Sequence, residues 1–152
     1  MRDLSRRSFV SAAVAGACYC GSATAQNTSP IAGDRVALKG YDPVSYFTEG
    51  KPEKGSSEFT FAFDDTSYWF KSAEHRAQFA ADPERYAPQF DGYCAIQVSR
   101  GAKAEADPEA WSITNGKLYV FSAKMAVPMF QQQTAGIVEK AGENWPQLRA
   151  SR

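Results

Sequence analysis

The chain has 152 residues, of which 43% are hydrophobic and 13% aromatic, enough to form the core of one domain. Its 17 Lys and Arg residues balance 17 Asp and Glu residues, which gives a formal net charge of zero at pH 7. This balance argues against binding to nucleic acid or to an anionic membrane surface, because both need a basic patch or stripe.

The first 25 residues predict a cleaved export signal. Arg6 and Arg7 precede an apolar run at residues 9–17, which is too short to anchor stably in a bilayer. The small residues at 23–25 are typical of a cleavage site. The paired arginines favour the twin-arginine export route over an ordinary secretory signal. We therefore expect a periplasmic protein with no stable membrane span after processing.

Processing would leave a single cysteine in the mature chain. Cys18 and Cys20 lie in the predicted signal, where lipidation of Cys18 is an alternative to simple cleavage. Cys94 then has no intramolecular disulfide partner, and a lone thiol in an oxidising compartment needs protection by burial, by a partner or by a metal ion. His75, the only histidine, lies 19 residues before Cys94.

Residues 34–149 predict one domain, preceded by a flexible polar tether at 26–33. Ser72 occupies an N-cap position before a helix at 73–81, and Asp82-Pro83 favours a second helix start. Alternating apolar residues and turn signals predict strands in the first part of the domain at 36–38, 45–48, 59–63 and 67–71.

In the second part of the domain, the dipeptide Asn115-Gly116 predicts another hairpin. A strand is also predicted at residues 93–98, with Cys94 on its apolar face. The chain then predicts a helical segment at 123–141, interrupted at Pro128. No internal repeat is evident. These elements predict an α+β fold, with a small antiparallel sheet of hairpins, short helices packed on it and a C-terminal helical segment.

Several motifs occur in order along the mature chain: Gly40-Tyr41-Asp42-Pro43-Val44-Ser45, Phe70-Lys71-Ser72-Ala73-Glu74-His75, Pro83-Glu84-Arg85-Tyr86 and Gly92-Tyr93-Cys94-Ala95. This set resembles the exported YHS-domain proteins, and the resemblance covers nearly the whole mature chain. It implies a small domain that binds a metal ion, because the YHS domain is regarded as a metal-binding module.

The chain departs from the cysteine pattern of that family. Relatives carry a cysteine after Asp-Pro-Val and a further pair at the strand-to-helix junction. Here Ser45 stands at the first place, Lys71 at the second and His75 at the third. The resemblance therefore implies a ligand-type position at His75, and it places Cys94 in the Gly-Tyr-Cys motif of the exported subgroup.

His75 and Cys94 are the candidate ligands of a transition-metal ion. The predicted helix start disfavours imidazolium at His75, and neutral imidazole is the form that binds metals. Copper is slightly favoured over zinc and iron, because Cu(I) tolerates few, soft ligands. Thioethers of Met125 and Met129 are candidate additions for copper, and carboxylates near Asp42 are candidates for iron.

Two other functions stay open at this point. The first is a metal-free interaction module, whose partner would be another periplasmic protein. The second is a thiol enzyme with Cys94 as nucleophile and His75 as base. The absence of a second histidine and of a Cys-x-x-Cys pair makes an enzyme the least favoured interpretation.

Overall fold

The computed structural model describes residues 35–151. The predicted export signal and the tether therefore lie outside the described residues. The described chain is an α+β fold with two small sheets and short helices, which confirms the predicted fold class. No helix between residues 35 and 151 is both long and apolar enough to cross a bilayer.

The first half of the described chain forms a three-stranded sheet and the helices beside it. Its elements are β1 (Arg35–Val36), turn 1 (Ala37–Gly40), α1 (Ser45–Thr48), β2 (Ser56–Phe63), β3 (Thr66–Phe70), α2 (Ala73–Ala81) and α3 (Pro83–Tyr86). Strand β3 lies in the middle of the sheet, parallel to β1 and antiparallel to β2.

The second half forms a two-stranded antiparallel sheet, also flanked by helices. Its elements are turn 2 (Gln89–Gly92), α4 (Ala95–Ser99), β4 (Asp107–Thr114), β5 (Lys117–Phe121), α5 (Ala126–Gln132) and α6 (Thr134–Ala150). The predicted C-terminal helical segment is thus confirmed. The chain breaks at Gln133 rather than at Pro128, because Pro128 lies in the first turn of α5, where its missing N–H is not needed.

Both hairpins and the helix at 73–81 form where the local signals predict them. Ser72 has extended backbone angles, and its Oγ accepts the main-chain N–H of His75 at 3.2 Å. This bond satisfies one of the free N–H groups of the first turn of α2. The start of α2, and with it the position of His75, is therefore fixed by a local interaction.

Two predicted strands are helices in the structure. Residues 45–48 form α1, because the Asp42 side chain accepts the N–H of Val44 and the chain turns there instead of extending. Residues 95–99 form α4, with Cys94 as its N-cap residue. Alternating apolar residues over so short a stretch do not distinguish a strand from a helix that is buried on two sides.

Two hydrophobic clusters form the core. The first contains residues of both halves, among them Leu118 and Val120 of β5, and the second contains residues of the second half alone. Phe79 of α2 packs on the first sheet, where its ring lies 4.9 Å from that of Tyr68. Phe130 of α5 packs on the second sheet, where its ring lies 4.9 Å from that of Tyr119. The helix that carries His75 and the residues around Cys94 therefore belong to different parts of the core.

Turn 1 depends on Gly40, which lies under the indole of Trp69. We expect Gly40→Ala to destabilise the protein by about 1–3 kcal/mol more than Gly101→Ala. Both glycines have φ of +81°, but an added Cβ would lie 2.7 Å from Trp69 at Gly40 and would meet nothing within 4 Å at Gly101. Urea unfolding of the two variants measures the difference, and equal losses would contradict the packing argument.

Candidate functional site

A buried carboxylate, that of Asp42, organises the candidate site. The side chain is 0% exposed. Its Oδ1 accepts the main-chain N–H of Val44 at 2.8 Å, and its Oδ2 accepts the main-chain N–H of Lys71 at 3.0 Å. Oδ2 also lies 2.7 Å from Nδ1 of His75. Each bond offsets part of the cost of removing a carboxylate from water.

Local sequence explains how Asp42 reaches this position. Gly40 supplies the positive φ that closes turn 1, and Asp42 then bonds the N–H two residues ahead, as aspartate commonly does in turns. The hydroxyl of Ser45 donates to the Asp42 carbonyl at 2.7 Å and accepts from the N–H of Glu53 at 3.2 Å. Ser45 therefore ties the loop that follows α1 to the start of that helix.

The bond to Asp42 fixes the tautomer and the orientation of His75. The carboxylate oxygen can only accept, so the proton of the shared bond belongs to Nδ1 of the imidazole. In the neutral ring the free lone pair is then on Nε2. Nε2 faces the carboxylate of Glu49, with 3.8 Å between Nε2 and Oε1. The residue is only 8% exposed, so the ring has little freedom to turn.

An ammonium group already lies beside this carboxylate. Lys71 Nζ donates to Oε1 of Glu49 and, at 2.9 Å, to Oε2 of Glu53. Lys51 pairs with the other oxygen of Glu53 at 2.8 Å. The mouth of the site therefore consists of two carboxylates and two lysines next to one imidazole nitrogen.

Cys94, the second predicted ligand, has a different environment. It is 2% exposed and packs in the cluster of the second half, with Ala110, Phe121 and Phe130 among its members. Within residues 35–151, the polar contacts of His75 are to Asp42, Glu49 and Ser72, and none of them is to Cys94. The structure therefore does not bring the predicted pair together in one contact.

The predicted thioether ligands lie in the second half of the chain, away from α2. Met125 is 83% exposed next to the start of α5, and Met129 lies one helical turn further on. In the chain from residue 35 to residue 151, no group of three or more His, Cys, Asp or Glu side chains has the geometry of a metal site. The carboxylate nearest to Nε2 of His75 is that of Glu49, at 3.8 Å.

The roles of two residues of the site do not follow from the sequence. The sequence indicates the carboxylates near Asp42 as candidate iron ligands but not as supports of His75, and it does not single out Glu49. The Asp-Pro-Val motif at Asp42 marks a helix start. It does not show that His75, 33 residues later, bonds the carboxylate of Asp42. For Glu49 the sequence contains no signal, since its position depends on how α1 ends.

A separate cleft of about 360 Å³ lies between the two halves of the chain. Two of its arginines form ion pairs: Arg149 with Asp64 at 3.2 Å, and Arg35 with Glu105, which lies outside the lining, at 3.0 Å. Burial raises the pKa of Asp91, which also lines this cleft. The pair between Arg149 and Asp64 joins the C-terminal helix to the first half.

Comparison with protein families, with curated proteins and with solved structures found no match.

The hydrogen bonds of Asp42 predict that its loss costs far more stability than the loss of Asp82. Asp42→Ala should destabilise the protein by about 3–5 kcal/mol, because the N–H groups of Val44 and Lys71 and the imidazole of His75 lose their acceptor. Asp82→Ala removes only the exposed cap of α3, a bond of 3.3 Å to the N–H of Arg85, and should cost about 1 kcal/mol. Thermal or urea unfolding compares them, and a similar loss in both variants would show that Asp42 is not the centre of the network.

Proposed function

We propose that this protein binds a transition-metal ion at Nε2 of His75, with the carboxylate of Glu49 as second ligand. The observation that carries the proposal is the 2.7 Å bond between Nδ1 of His75 and the buried Asp42. Metal-binding histidines commonly donate their other ring N–H to a carboxylate, which fixes the tautomer and makes the free nitrogen a better ligand. The resemblance to the exported YHS-domain proteins supports the same class of function.

The spacing of the two proposed ligands suits a shared ion. Bonds of about 2.1 Å place a nitrogen and an oxygen ligand about 3.4 Å apart at a tetrahedral angle, and about 3.0 Å apart at the right angle of a tetragonal Cu(II) site. Nε2 of His75 and Oε1 of Glu49 are 3.8 Å apart. Closing this gap requires only a small rotation of the Glu49 side chain, which lies at the surface end of α1. Water or a partner would provide the other ligands.

Lys71 is a competitor for the same oxygen. Its ammonium donates to Oε1 of Glu49, so an ion at Glu49 would stand next to a like charge. Binding therefore requires Lys71 to move away, and its departure also frees the carboxylate of Glu53. Lys71 lowers the affinity of the site and stabilises the metal-free form.

The ligand types bear on the identity of the ion. One imidazole and one or two carboxylates suit divalent copper, zinc and iron better than Cu(I), which prefers thiolates and thioethers. Divalent copper binds a given nitrogen and oxygen site more tightly than zinc or iron. We therefore keep copper as the favoured metal, now as Cu(II), with Cys94 in a structural role. The proposal places the protein in the periplasm, after export by the twin-arginine route.

Metal titration of residues 26–152 with Cu(II) and Zn(II) tests the proposal. We expect one equivalent to bind, and His75→Ala to abolish binding because it removes the nitrogen ligand. Cys94→Ser should leave the affinity unchanged. Lys71→Met should raise the affinity about tenfold, or about 1.4 kcal/mol, by removing the competing charge.

Lys54→Met is the matched control for Lys71→Met, since Lys54 is an exposed lysine that lies over the ring of Tyr41. It should not change the affinity. Binding that survives His75→Ala, or that is lost in Cys94→Ser, would contradict the proposed ligands.

A metal-free interaction module is the second candidate. The observation in its favour is that Lys71 and Lys51 together already neutralise Glu49 and Glu53, so the charges of the cluster balance without an ion. Under this function the parent protein binds no metal in the titration. A thiol enzyme has less support, because a reactive cysteine must be accessible and Cys94 is buried.

A further inference from the structure

The two halves of the described chain begin with the same unusual turn. In turn 1, Leu38, Lys39 and Gly40 have φ of 52°, 52° and 81°. Turn 2 repeats the pattern with φ of 57°, 52° and 78° at Phe90, Asp91 and Gly92. Left-handed angles at bulky residues such as leucine and phenylalanine are rare. Two consecutive ones before a glycine, found twice in one small protein, are therefore a strong sign of a shared origin.

The segments after the turns also correspond. Each turn is followed by a tyrosine and then a short helix, and the tyrosine bridges to the loop after that helix: Tyr41 to Lys54, and Tyr93 to Glu105. The chain entering each turn also pairs in parallel with the second strand of the next hairpin. These pairs are Val36 with Ser67 and Pro88 with Leu118.

The hairpins share an irregularity in register. In the first hairpin Ser56 pairs with Phe70, and the next pair is Thr60 with Trp69. In the second hairpin Asp107 pairs with Phe121, and the next pair is Trp111 with Val120. Each corresponding position differs by 51 residues. A bulge of the same size at the same place has no reason to recur in two unrelated hairpins.

Each hairpin is covered by a helix through the same aromatic contacts. Phe79 lies 4.9 Å from Tyr68 and 5.1 Å from Phe70, measured between ring centroids. The same spacing along the chain gives Phe130, which lies 4.9 Å from both Tyr119 and Phe121. Each helix is then followed by a second helix, α3 in the first half and α6 in the second.

We infer that the chain contains two copies of one structural unit, beginning near residues 35 and 87, and that only the first copy carries the candidate site. Cys94 stands at the position of Asp42, one residue after the tyrosine in each copy. The position of His75 is occupied by Ala126, four residues before the anchoring phenylalanine. The second copy therefore lacks both the imidazole and the carboxylate that orients it.

The mouth of the site has also changed in the second copy. Glu49 is the C-cap residue of α1, and the C-cap residue of α4 is Arg100; both precede a glycine with positive φ. Ser122 stands at the position of Lys71. The second copy thus has a cation, Arg100, where the first has the proposed ligand Glu49. We therefore expect one metal site per chain.

This correspondence explains Cys94 without a ligand role. Asp42 accepts the N–H of Val44 at the start of α1, whereas the Cys94 side chain caps no N–H among residues 35–151 and packs in an apolar cluster. A small apolar side chain suffices there because no histidine needs orienting. The only cysteine of the mature chain is the counterpart of the site's central residue.

The test is to rebuild the pair in the second copy with Cys94→Asp/Ala126→His and determine the crystal structure. Ala126 is partly exposed, so the imidazole has room. We expect Nδ1 of the introduced histidine to lie as close to the introduced carboxylate as the 2.7 Å seen between His75 and Asp42. A folded variant in which these side chains are more than about 4 Å apart, beyond hydrogen-bond distance, would overturn the inference.

A reverse variant covers the case in which the buried aspartate prevents folding. Asp42→Cys/His75→Ala gives the first copy the residues of the second. It should lose stability because the N–H groups of Val44 and Lys71 lose their acceptor, but it should still unfold cooperatively because the second copy accommodates the same pair. A reverse variant without a cooperative transition, together with a rebuilt variant that does not fold, would overturn the inference. The crystal structure and the unfolding curves need no metal, so they test the inferred duplication independently of the proposed function.

A copper titration extends the test to metal binding, and this part of the test rests on the proposed function. Adding Arg100→Glu to Cys94→Asp/Ala126→His should give a second equivalent of bound Cu(II). A parent protein that binds no copper would remove the proposed function and leave the duplication in place. A parent that binds one equivalent, with no second equivalent in the rebuilt variant, would overturn the claim that the two positions are alike.

Discussion

The relative positions of α1, the end of β3 and His75 depend on one buried carboxylate, that of Asp42. Three separate parts of the chain donate to it: the start of α1, the residue after β3 and the imidazole on α2. A buried charge is tolerated only when its hydrogen-bonding capacity is filled, so these parts must meet in one geometry. The same bonds hold His75 with Nε2 turned towards Glu49. Stability and the proposed chemistry therefore rest on the same atoms.

The local features of this site follow from the sequence, and the long-range ones do not. Ser72 as N-cap predicts where α2 starts and hence that His75 lies in its first turn. The bond between Asp42 and His75 joins residues 33 positions apart, and no periodicity reports such a pairing. The fold class could be predicted because turn signals and alternation report hairpins. The helices at 45–48 and 95–99 could not, because side-chain contacts from elsewhere decide short apolar segments.

The proposed duplication is visible in the backbone and not in the sequence pattern. What the copies share is backbone geometry and a few anchors, such as Gly40 with Gly92 and Phe79 with Phe130. The surface residues between the anchors have diverged: Met125 and Met129 stand where the first copy has Glu74 and Gln78. Under the proposed duplication, Cys94 corresponds to Asp42, which bonds His75, so the prediction of His75 and Cys94 as ligands joins residues of two different copies.

X-ray absorption spectroscopy of the copper-loaded protein tests the central claim most directly, because it reports the ligand atoms themselves. The proposed site predicts a first shell of nitrogen and oxygen at about 2.0–2.1 Å that contains one imidazole and no sulfur. The imidazole signature should disappear in His75→Ala. A sulfur shell at about 2.3 Å, or a first shell without imidazole, would contradict a site built on His75 and Glu49.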